Sequence, residues 1–154
     1  VNNWSQMDTI ARFVKEAADD GGNVLVGGNA VLEETGGTYF APTVVSGVQK
    51  DHRLFKEEVF GPILSATPFD TDEEALALAN GTDYGLAAYA WTNSVSRAHH
   101  MIAGLETGVV QINAIGRIDN TAPLGGVKQS GNGVDKSLHS FDKYTALKTA
   151  WIHL

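Results

Sequence analysis

The sequence predicts an α/β protein built on a parallel sheet with crossover helices. Apolar segments with strand character alternate with segments of helical periodicity through the middle of the 154-residue chain. Because two parallel strands need a crossover connection, usually a helix, this alternation favours parallel pairing. The segments in order are strand 63–69, helix 71–79, strand 86–91, helix 95–105 and strand 109–112.

A further helix is predicted near the start of the chain. Ser5 and Asp8 resemble a capping box, which satisfies free backbone amides at a helix start. An apolar stripe at helical spacing follows, and Gly21-Gly22 ends the helix because glycine tolerates the left-handed conformation. The stripe consists of Met7, Ile10, Ala11, Val14 and Ala18.

Short strands are expected next, at residues 24–26 and 39–45. Pro42 places the second of them at an edge or a bend, because proline has no N–H for the ladder. Strand 86–91 is apolar on both faces, as in a strand covered by helices on both sides.

The two later helices carry similar signals. Thr71 and Glu74 form a second capping box, and Gly81 ends that helix. The predicted buried stripe of the last helix is Val95, Ala98, Ile102 and Leu105.

Regular patterning stops at residue 113. Residues 113–133 form a long loop, and its glycines at 125, 126 and 131 favour an ordered one. Residues 147–154 alternate weakly and are predicted to end the chain as a strand.

Composition excludes several classes of function. Hydrophobic residues make up 43% of the chain, a globular balance, and the net charge of −7 argues against a nucleic-acid partner. Without cysteine there is no disulfide and no cysteine-based zinc site. No apolar run has the length of a membrane span and no signal peptide is visible, so a cytoplasmic protein without a membrane partner is expected. Because the first residue is Val1, we expect a processed or truncated chain.

Glu58 is the first candidate for chemistry. It stands before Phe60 and Gly61-Pro62, at the start of a predicted strand and in a turn stiffened by proline. A carboxylate accepts hydrogen bonds through two oxygens and can therefore hold the paired hydroxyls of a ribose, while Phe60 could pack against the sugar or a flat ring. The alternative is an acidic loop beside a core phenylalanine.

The order of several motifs resembles one enzyme family. Together they are similar to the C-terminal part of the NAD(P)-dependent aldehyde dehydrogenase superfamily, over essentially the whole chain. Each motif is weak alone, and the ordered set is specific. The motifs are Gly27-Gly28, Pro42-Thr43-Val44, residues 57–62 (Glu-Glu-Val-Phe-Gly-Pro), Asn80, Tyr84-Gly85-Leu86, Asn113 and residues 123–131.

The resemblance implies an architecture. Residues 1–146 would be the C-terminal part of a three-layer, parallel-sheet catalytic domain, and residues 147–154 an oligomerisation strand. In the family the final strand pairs across subunits, so a homo-oligomer is expected through residues 147–152. The alternative is a strand at the edge of its own sheet, which would be an exposed and adhesive edge.

The resemblance also implies ligands. The cofactor would be NAD or NADP, with NAD favoured, and the substrate a small-molecule aldehyde. Glu58 would bind the ribose hydroxyls on the nicotinamide side and Phe60 would contact the same region. Gly116, Ile118 and Leu124 would border the substrate pocket, with aliphatic side chains at 118 and 124 where aromatic ones are common in the family.

No catalytic residue is expected in this chain. In the family the cysteine nucleophile, the base glutamate and the oxyanion-binding asparagine all precede the matching region, so the chain alone would be inactive. Two alternatives remain open: a non-catalytic binding or assembly module that keeps the fold, and an independent small hydrolase. The hydrolase is disfavoured because no nucleophile and base are recognisable together.

The C-terminal residues give a finer resemblance. Residues 135–139, 143–145 and 147–152 resemble the bacterial branch that contains gamma-glutamyl-gamma-aminobutyraldehyde dehydrogenase, which implies an amino-aldehyde substrate. Val134 departs from the pattern, since an arginine is usual there, and the loss of that cation removes an anchor near the subunit interface.

Three other signals are set aside. His99 and His100 are adjacent on a helix and point about 100° apart, which does not suit a shared metal. Ser130 lacks the nucleophile-elbow pattern because Lys128 takes the place of the first glycine. Lys128 also lacks the spacing of a P-loop, and is expected to tie its loop down by hydrogen bonds.

Overall fold

The computed structural model describes residues 1–116 and 119–154, and the chain divides into two units, residues 1–82 and 83–154. The first unit holds the longest helix and a three-stranded sheet. Its elements are α1 (Trp4–Asp19), β1 (Asn23–Val26), β2 (Ala30–Val31), a 3-10 turn (Glu33–Thr35), β3 (Tyr39–Phe40), β4 (Thr43–Ser46), α2 (Arg53–Lys56), β5 (Ile63–Ala66) and α3 (Asp72–Asn80).

Helix α1 begins earlier than its sequence pattern predicted. Asn3, not Ser5, is the N-cap, because its side-chain oxygen accepts a hydrogen bond from the Gln6 N–H at 2.8 Å. Ser5 lies inside the first turn, where its carbonyl accepts from the Thr9 hydroxyl at 3.0 Å. The capping-box interpretation of Ser5 and Asp8 was therefore wrong by two residues.

The buried face of α1 forms most of the core of the first unit. Met7, Ile10 and Val14 are buried as predicted, whereas Ala11 and Ala18 are exposed. Phe13 and Ala17 are buried in their place, because the buried face follows the larger Phe13 ring onto β4 and α2. The core residues are Met7, Ile10, Phe13, Val14, Ala17, Phe40, Val45, Val48 and Leu54.

The sheet of the first unit is mixed. Its order is β1-β4-β5, with β1 antiparallel to β4 and β4 parallel to β5 in the register Thr43↔Ile63 to Ser46↔Ala66. The predicted strand 39–45 is interrupted at Ala41-Pro42, in agreement with a bend at the proline, and continues as central strand β4 rather than as an edge.

Helix α3 has the cap that its sequence predicted. The Thr71 hydroxyl oxygen accepts from the Glu74 N–H at 3.1 Å, and the Glu74 carboxylate accepts from the Asp70 N–H at 2.8 Å. Acidic residues fill the first turn, where the helix dipole stabilises negative charge.

The second unit contains a predicted parallel pair, β7 (Ala87–Ala90) with β8 (Val109–Ile112), in the register Ala87↔Val109 to Ala90↔Ile112. Three short strands come after β8 among the described residues; residues 127–128 pair with residues 84–85, and residues 134–135 pair with residues 124–125. The elements are β6 (Tyr84–Gly85), β7 (Ala87–Ala90), α4 (Val95–Gly104), β8 (Val109–Ile112), β9 (Leu124–Gly125), β10 (Val127–Lys128), β11 (Val134–Asp135) and a 3-10 segment (Leu138–Lys143).

The apolar stripe predicted for α4 is only partly correct. Met101 is its buried residue, and Ala98 and Leu105 are half-buried. Val95 and Ile102 are exposed, because the helix turns the Met101 side rather than the neighbouring stripe toward its own unit.

Residues 145–154, here called the tail, contain no helix or strand and are exposed throughout. Within this chain the predicted strand therefore has no partner, and pairing of the tail with another subunit stays a prediction. Among the helices of the described residues, none combines the length and the apolar character that crossing a bilayer requires.

Candidate cofactor-binding site

Residues 57–62, here called the Glu58 turn, connect α2 to β5. Helix α2 ends at Glu57, whose backbone is extended and whose N–H donates to the Arg53 carbonyl at 2.8 Å. At the other end, the Pro62 carbonyl accepts from the Thr43 N–H at 2.8 Å, which ties the turn to β4. Both ends of the Glu58 turn are thus fixed by backbone hydrogen bonds.

Phe60 adopts a backbone conformation that is costly for a residue of its kind. Its φ is 53°, in the left-handed region, where a non-glycine residue carries strain of about 1–3 kcal/mol. Its ring is also 76% exposed. An aromatic side chain that is both strained and exposed in this chain contributes little to its core, which makes Phe60 a candidate for a role at this surface.

Helix α1 imposes this conformation on the turn. The Gln6 carboxamide donates to the Val59 carbonyl at 2.7 Å and to the Phe60 carbonyl at 3.1 Å. A Cβ placed on Gly61 would lie 2.5 Å from the Ile10 side chain, so only glycine allows the helix to approach this closely. Contacts more than fifty residues away along the chain therefore fix the shape of the Glu58 turn.

The two adjacent glutamates of the turn have different surroundings. Arg53 donates to both carboxylate oxygens of Glu57, at 2.8 Å and 2.9 Å. This hydrogen bonding holds the pKa of the Glu57 carboxyl below its usual value and raises the pKa of Arg53. Glu57 is therefore an anionic partner of Arg53 with both of its oxygens engaged.

Glu58 is exposed, and among the described residues no hydrogen bond or ion pair to its carboxylate is present. Both of its oxygens can accept hydrogen bonds from outside the protein. Two adjacent O–H donors of a ribose match a carboxylate with two free oxygens, and an exposed aromatic ring two residues later offers an apolar face beside it. The turn therefore fits recognition of a sugar diol that carries a planar group.

The residues expected at the substrate pocket lie in the second unit. Gly116 is exposed with φ 68°, and Leu124 is half-buried in β9, opposite Asp135 of β11. Ile118 lies outside the described residues. The pocket assignment stays a prediction.

Asn113, which follows β8, joins the ends of the two parallel strands. Its N–H donates to the Ala90 carbonyl at 2.8 Å, and its carboxamide both accepts from the Thr92 N–H and donates to the Thr92 carbonyl, each at 2.8 Å. The sequence pattern placed Asn113 after an apolar strand but gave no indication of this reciprocal pair, because Thr92 is 21 residues away.

Residues 123–131, part of the predicted loop 113–133, are held by specific contacts within the second unit. Lys128 forms an ion pair with Glu106 at 2.8 Å, and the Ser130 hydroxyl oxygen accepts from the Gly85 N–H at 3.0 Å. A Cβ on Gly108 would lie 1.8 Å from the Gly125 carbonyl oxygen, so the backbones touch at this point. Lys128 thus anchors the loop, in agreement with its predicted role.

Comparison with known proteins shows which family this chain belongs to. The profile of the family described as "Aldehyde dehydrogenase family" matches residues 1–150. The chain belongs to the aldehyde dehydrogenase family. The resemblance of the ordered motifs to this family is therefore confirmed.

Two curated relatives are similar to this family member over much of its sequence. NADP/NAD-dependent aldehyde dehydrogenase PuuC of Escherichia coli (strain K12) is 46% identical over 147 residues, which are 96% of this chain and 29% of PuuC. Aminoacetaldehyde dehydrogenase of Pseudomonas aeruginosa is 50% identical over 117 residues, which are 75% of this chain and 24% of that protein. The chain thus spans less than a third of the length of these aldehyde dehydrogenases.

A solved aldehyde dehydrogenase has the same fold. Indole-3-acetaldehyde dehydrogenase in complex with NAD+ matches with a TM-score of 0.93 at 50% identity, over 99% of this chain and 31% of that chain. The α/β fold class, as part of an aldehyde dehydrogenase, is therefore confirmed. The name of PuuC states that it depends on NADP or NAD, and the solved indole-3-acetaldehyde dehydrogenase is a complex with NAD+.

The first unit also contains a feature that the sequence did not indicate. A cavity of about 340 Å³ lies beside His52, whose Nδ1 accepts from the Leu54 N–H at 3.0 Å and whose Nε2 lies 3.2 Å from an Asp20 carboxylate oxygen. No residue predicted for the cofactor or the substrate lines it. The lining residues are Ala17, Asp20, Gly22, Val48, Gln49, Asp51 and His52.

A metal centre has no support in the part of the chain that the structure describes, where no group of three or more His, Asp or Glu side chains could hold an ion. Both His99 and His100 are exposed on α4.

Proposed function

We propose that this chain is the C-terminal part of an NAD(P)-dependent aldehyde dehydrogenase that oxidises an aldehyde to a carboxylic acid, and that Glu58 binds its cofactor. The observation that carries the proposal is a free, exposed carboxylate on a turn whose backbone is fixed from both sides. The family membership supports the reaction class.

The Glu58 turn fits the nicotinamide half of the cofactor. The Glu58 carboxylate accepts hydrogen bonds from the two ribose hydroxyls, and each such bond to a charged group contributes about 1.5–3 kcal/mol. The exposed Phe60 ring packs against the same region. The nicotinamide held there would supply the hydride acceptor of the oxidation.

Glu58 and Phe60 contribute by orienting the ribose and the nicotinamide attached to it. A carboxylate that holds two hydroxyls fixes the sugar in two directions, and the ring attached to the sugar turns with it. A fixed geometry of the reacting groups is worth several powers of ten in rate, so small movements of Glu58 would be costly. The backbone strain at Phe60 is consistent with a turn shaped for this task.

We propose that the chain has no turnover on its own. It has no cysteine, so the thiolate that attacks the aldehyde in this family would come from another part of a longer protein. The alternative, a non-catalytic binding or assembly module with the same fold, is favoured by the same absence. A longer reading frame that supplies a cysteine and a dinucleotide-binding region would decide for the enzyme.

We propose an amino-aldehyde as substrate and NAD as the favoured cofactor. The name of the similar Pseudomonas aeruginosa relative, aminoacetaldehyde dehydrogenase, supports the first, and the NAD+ complex of a solved relative supports the second. Gly116, Ile118 and Leu124 are the residues proposed to border the substrate. A panel of amino-aldehydes and plain aldehydes, assayed with NAD and with NADP, tests both choices.

We also propose that the enzyme assembles through the tail. Leu147, Trp151 and Ile152 are 106%, 93% and 84% exposed, and large apolar side chains grouped on a surface are typical of an interface. A segment that forms no helix or strand within its own chain can add a strand to a second copy. Residues 147–154 form the proposed oligomerisation strand, with residues 1–146 as the catalytic-domain part.

The decisive test is Glu58→Gln in the full-length protein that contains this chain. Glutamine keeps the size but loses the charge, so the dissociation constant of NAD should rise about 10-fold or more, as expected for the loss of a charged hydrogen bond. Calorimetric titration with NAD measures this, and single-turnover hydride transfer should slow as well. Glu34→Gln, at an exposed glutamate of the same unit, is the matched control. An NAD affinity of Glu58→Gln equal to that of the control contradicts the assignment.

A further inference from the structure

The two adjacent glutamates of the Glu58 turn differ in whether their carboxylates are paired. Both carry the same group, and only one is free: Glu57 is held by Arg53, while Glu58 is exposed without a partner among the described residues. A turn that presents one carboxylate to a ligand needs the second one kept away from it. The residue that makes this difference is Arg53.

Arg53 is fixed by contacts from two directions. Its guanidinium binds both oxygens of Glu57, donates to a Glu16 carboxylate oxygen at 3.0 Å, and lies 4.5 Å over the centre of the Phe13 ring. Phe13 is buried in the core and Glu16 lies on α1, so the guanidinium connects the end of α2 to the core helix. A guanidinium that donates two parallel hydrogen bonds holds a carboxylate in one orientation more tightly than a lysine ammonium does.

We propose that Arg53 is a positioning residue for the cofactor: it holds and neutralises Glu57, so that Glu58 alone faces the ribose. This inference rests on the proposed function of Glu58. Arg53 itself does not touch the cofactor. It acts through Glu57, which is joined to Glu58 by a peptide bond.

Removal of Arg53 would have two consequences. Glu57 would be free to rotate, and with it the peptide that leads into Glu58. The carboxylates of Glu16 and Glu57 would also lose this cation, which would leave uncompensated negative charge beside the Glu58 turn, where a ligand with a negatively charged pyrophosphate is proposed to bind. Both effects weaken cofactor binding, and the second decreases as salt screens the charges.

The experiment compares Arg53→Met with Arg53→Met/Glu57→Gln in the full-length protein, using NAD titration and the thermal unfolding midpoint. Arg53→Met should raise the dissociation constant of NAD about 3- to 10-fold, a range typical of coupled neighbours, and more at low salt than at high salt. Glu57→Gln in the same protein should restore part of the affinity, because it removes the freed charge. A structural role of Arg53 alone would give no such restoration.

Lys15→Met is the matched control, because it removes another exposed ion pair at the same helical spacing, Lys15 with Asp19, far in sequence from the turn. If Arg53→Met fails to fold, Arg53→Lys replaces it: the cation stays, the two parallel hydrogen bonds are lost, and a smaller loss with the same restoration is expected. An unchanged NAD affinity in the Arg53 variants, or no restoration by Glu57→Gln, overturns the inference.

Glu58→Gln, measured in the same series, separates the two proposals. If Glu58→Gln weakens NAD binding and the Arg53 variants behave as Lys15→Met, only the positioning role of Arg53 is wrong. If Glu58→Gln leaves NAD binding unchanged, the proposed function itself is wrong.

Discussion

The Glu58 turn and the tail are both exposed and both assigned a function, yet they are held in opposite ways. The turn is fixed by the Gln6 carboxamide, by Arg53 and by backbone bonds at each end. The tail has no regular structure and its large side chains face outward. A site that orients a small ligand must be rigid before binding, whereas a segment that pairs with another subunit can become ordered on contact.

The largest effect, on the mass of the assembly, is expected from removal of most of the tail. Deletion of residues 147–154 from the full-length protein should reduce the assembly to smaller species, because the apolar side chains and unpaired backbone of the proposed interface are lost. The fold of the remainder should persist, since no helix or strand includes these residues. Light scattering gives the mass, and circular dichroism the fold.

A point control distinguishes the tail from any exposed aromatic residue. Trp151→Ala should weaken the assembly, whereas Trp91→Ala, at a tryptophan that is 63% exposed outside the tail, should leave the mass unchanged. An undiminished mass after the deletion would show that subunits associate elsewhere.

Features that depend on local sequence patterns could be predicted from the sequence, whereas features that depend on one specific contact could not. The cap of α3 at Thr71 and the parallel pair β7–β8 follow from local patterns, and these were predicted correctly. The parallel pair β4–β5 was not predicted, because no helical pattern separates its two strands in the sequence. The start of α1 was not, because Asn3 and Ser5 can both cap a helix and only the bond to the Gln6 N–H decides between them.

The geometry of the candidate site was still less accessible from sequence. Glu58 and Phe60 were found through the motif, but the left-handed backbone of Phe60 depends on Gln6, 54 residues away. The division of roles between Glu57 and Glu58 depends on Arg53 and Glu16, whose meeting is set by tertiary packing. No local pattern contains these contacts.

A smaller effect is expected from Phe60→Gly, which tests whether the turn is strained. Glycine removes the left-handed cost of about 1–2 kcal/mol but adds an unfolded-state entropy penalty of about 0.5–1 kcal/mol, and little buried area is lost because the ring is mostly exposed. The unfolding midpoint should therefore stay the same or rise slightly, while NAD affinity falls. Phe69→Gly, at another exposed phenylalanine of the first unit, carries the entropy penalty without relief of a positive φ. Equal destabilisation by the two substitutions would contradict strain at Phe60.

The smallest effect is expected from the pH dependence of the Arg53–Glu57 pair. Arg53 lowers the pKa of Glu57 in the folded protein, so the pair stabilises the fold above the unfolded pKa of Glu57, and this stabilisation is lost as the pH falls through the folded pKa. Because both side chains are nearly half exposed, solvent and salt reduce the effect. Unfolding midpoints measured from neutral to acidic pH should fall less steeply for Glu57→Gln than for the unchanged protein. Glu34→Gln, which removes one carboxylate elsewhere in the unit, should retain the steeper fall of the unfolding midpoint. A shallow fall for both variants would mean that net charge, rather than the Arg53 contact, governs the loss of stability at acidic pH.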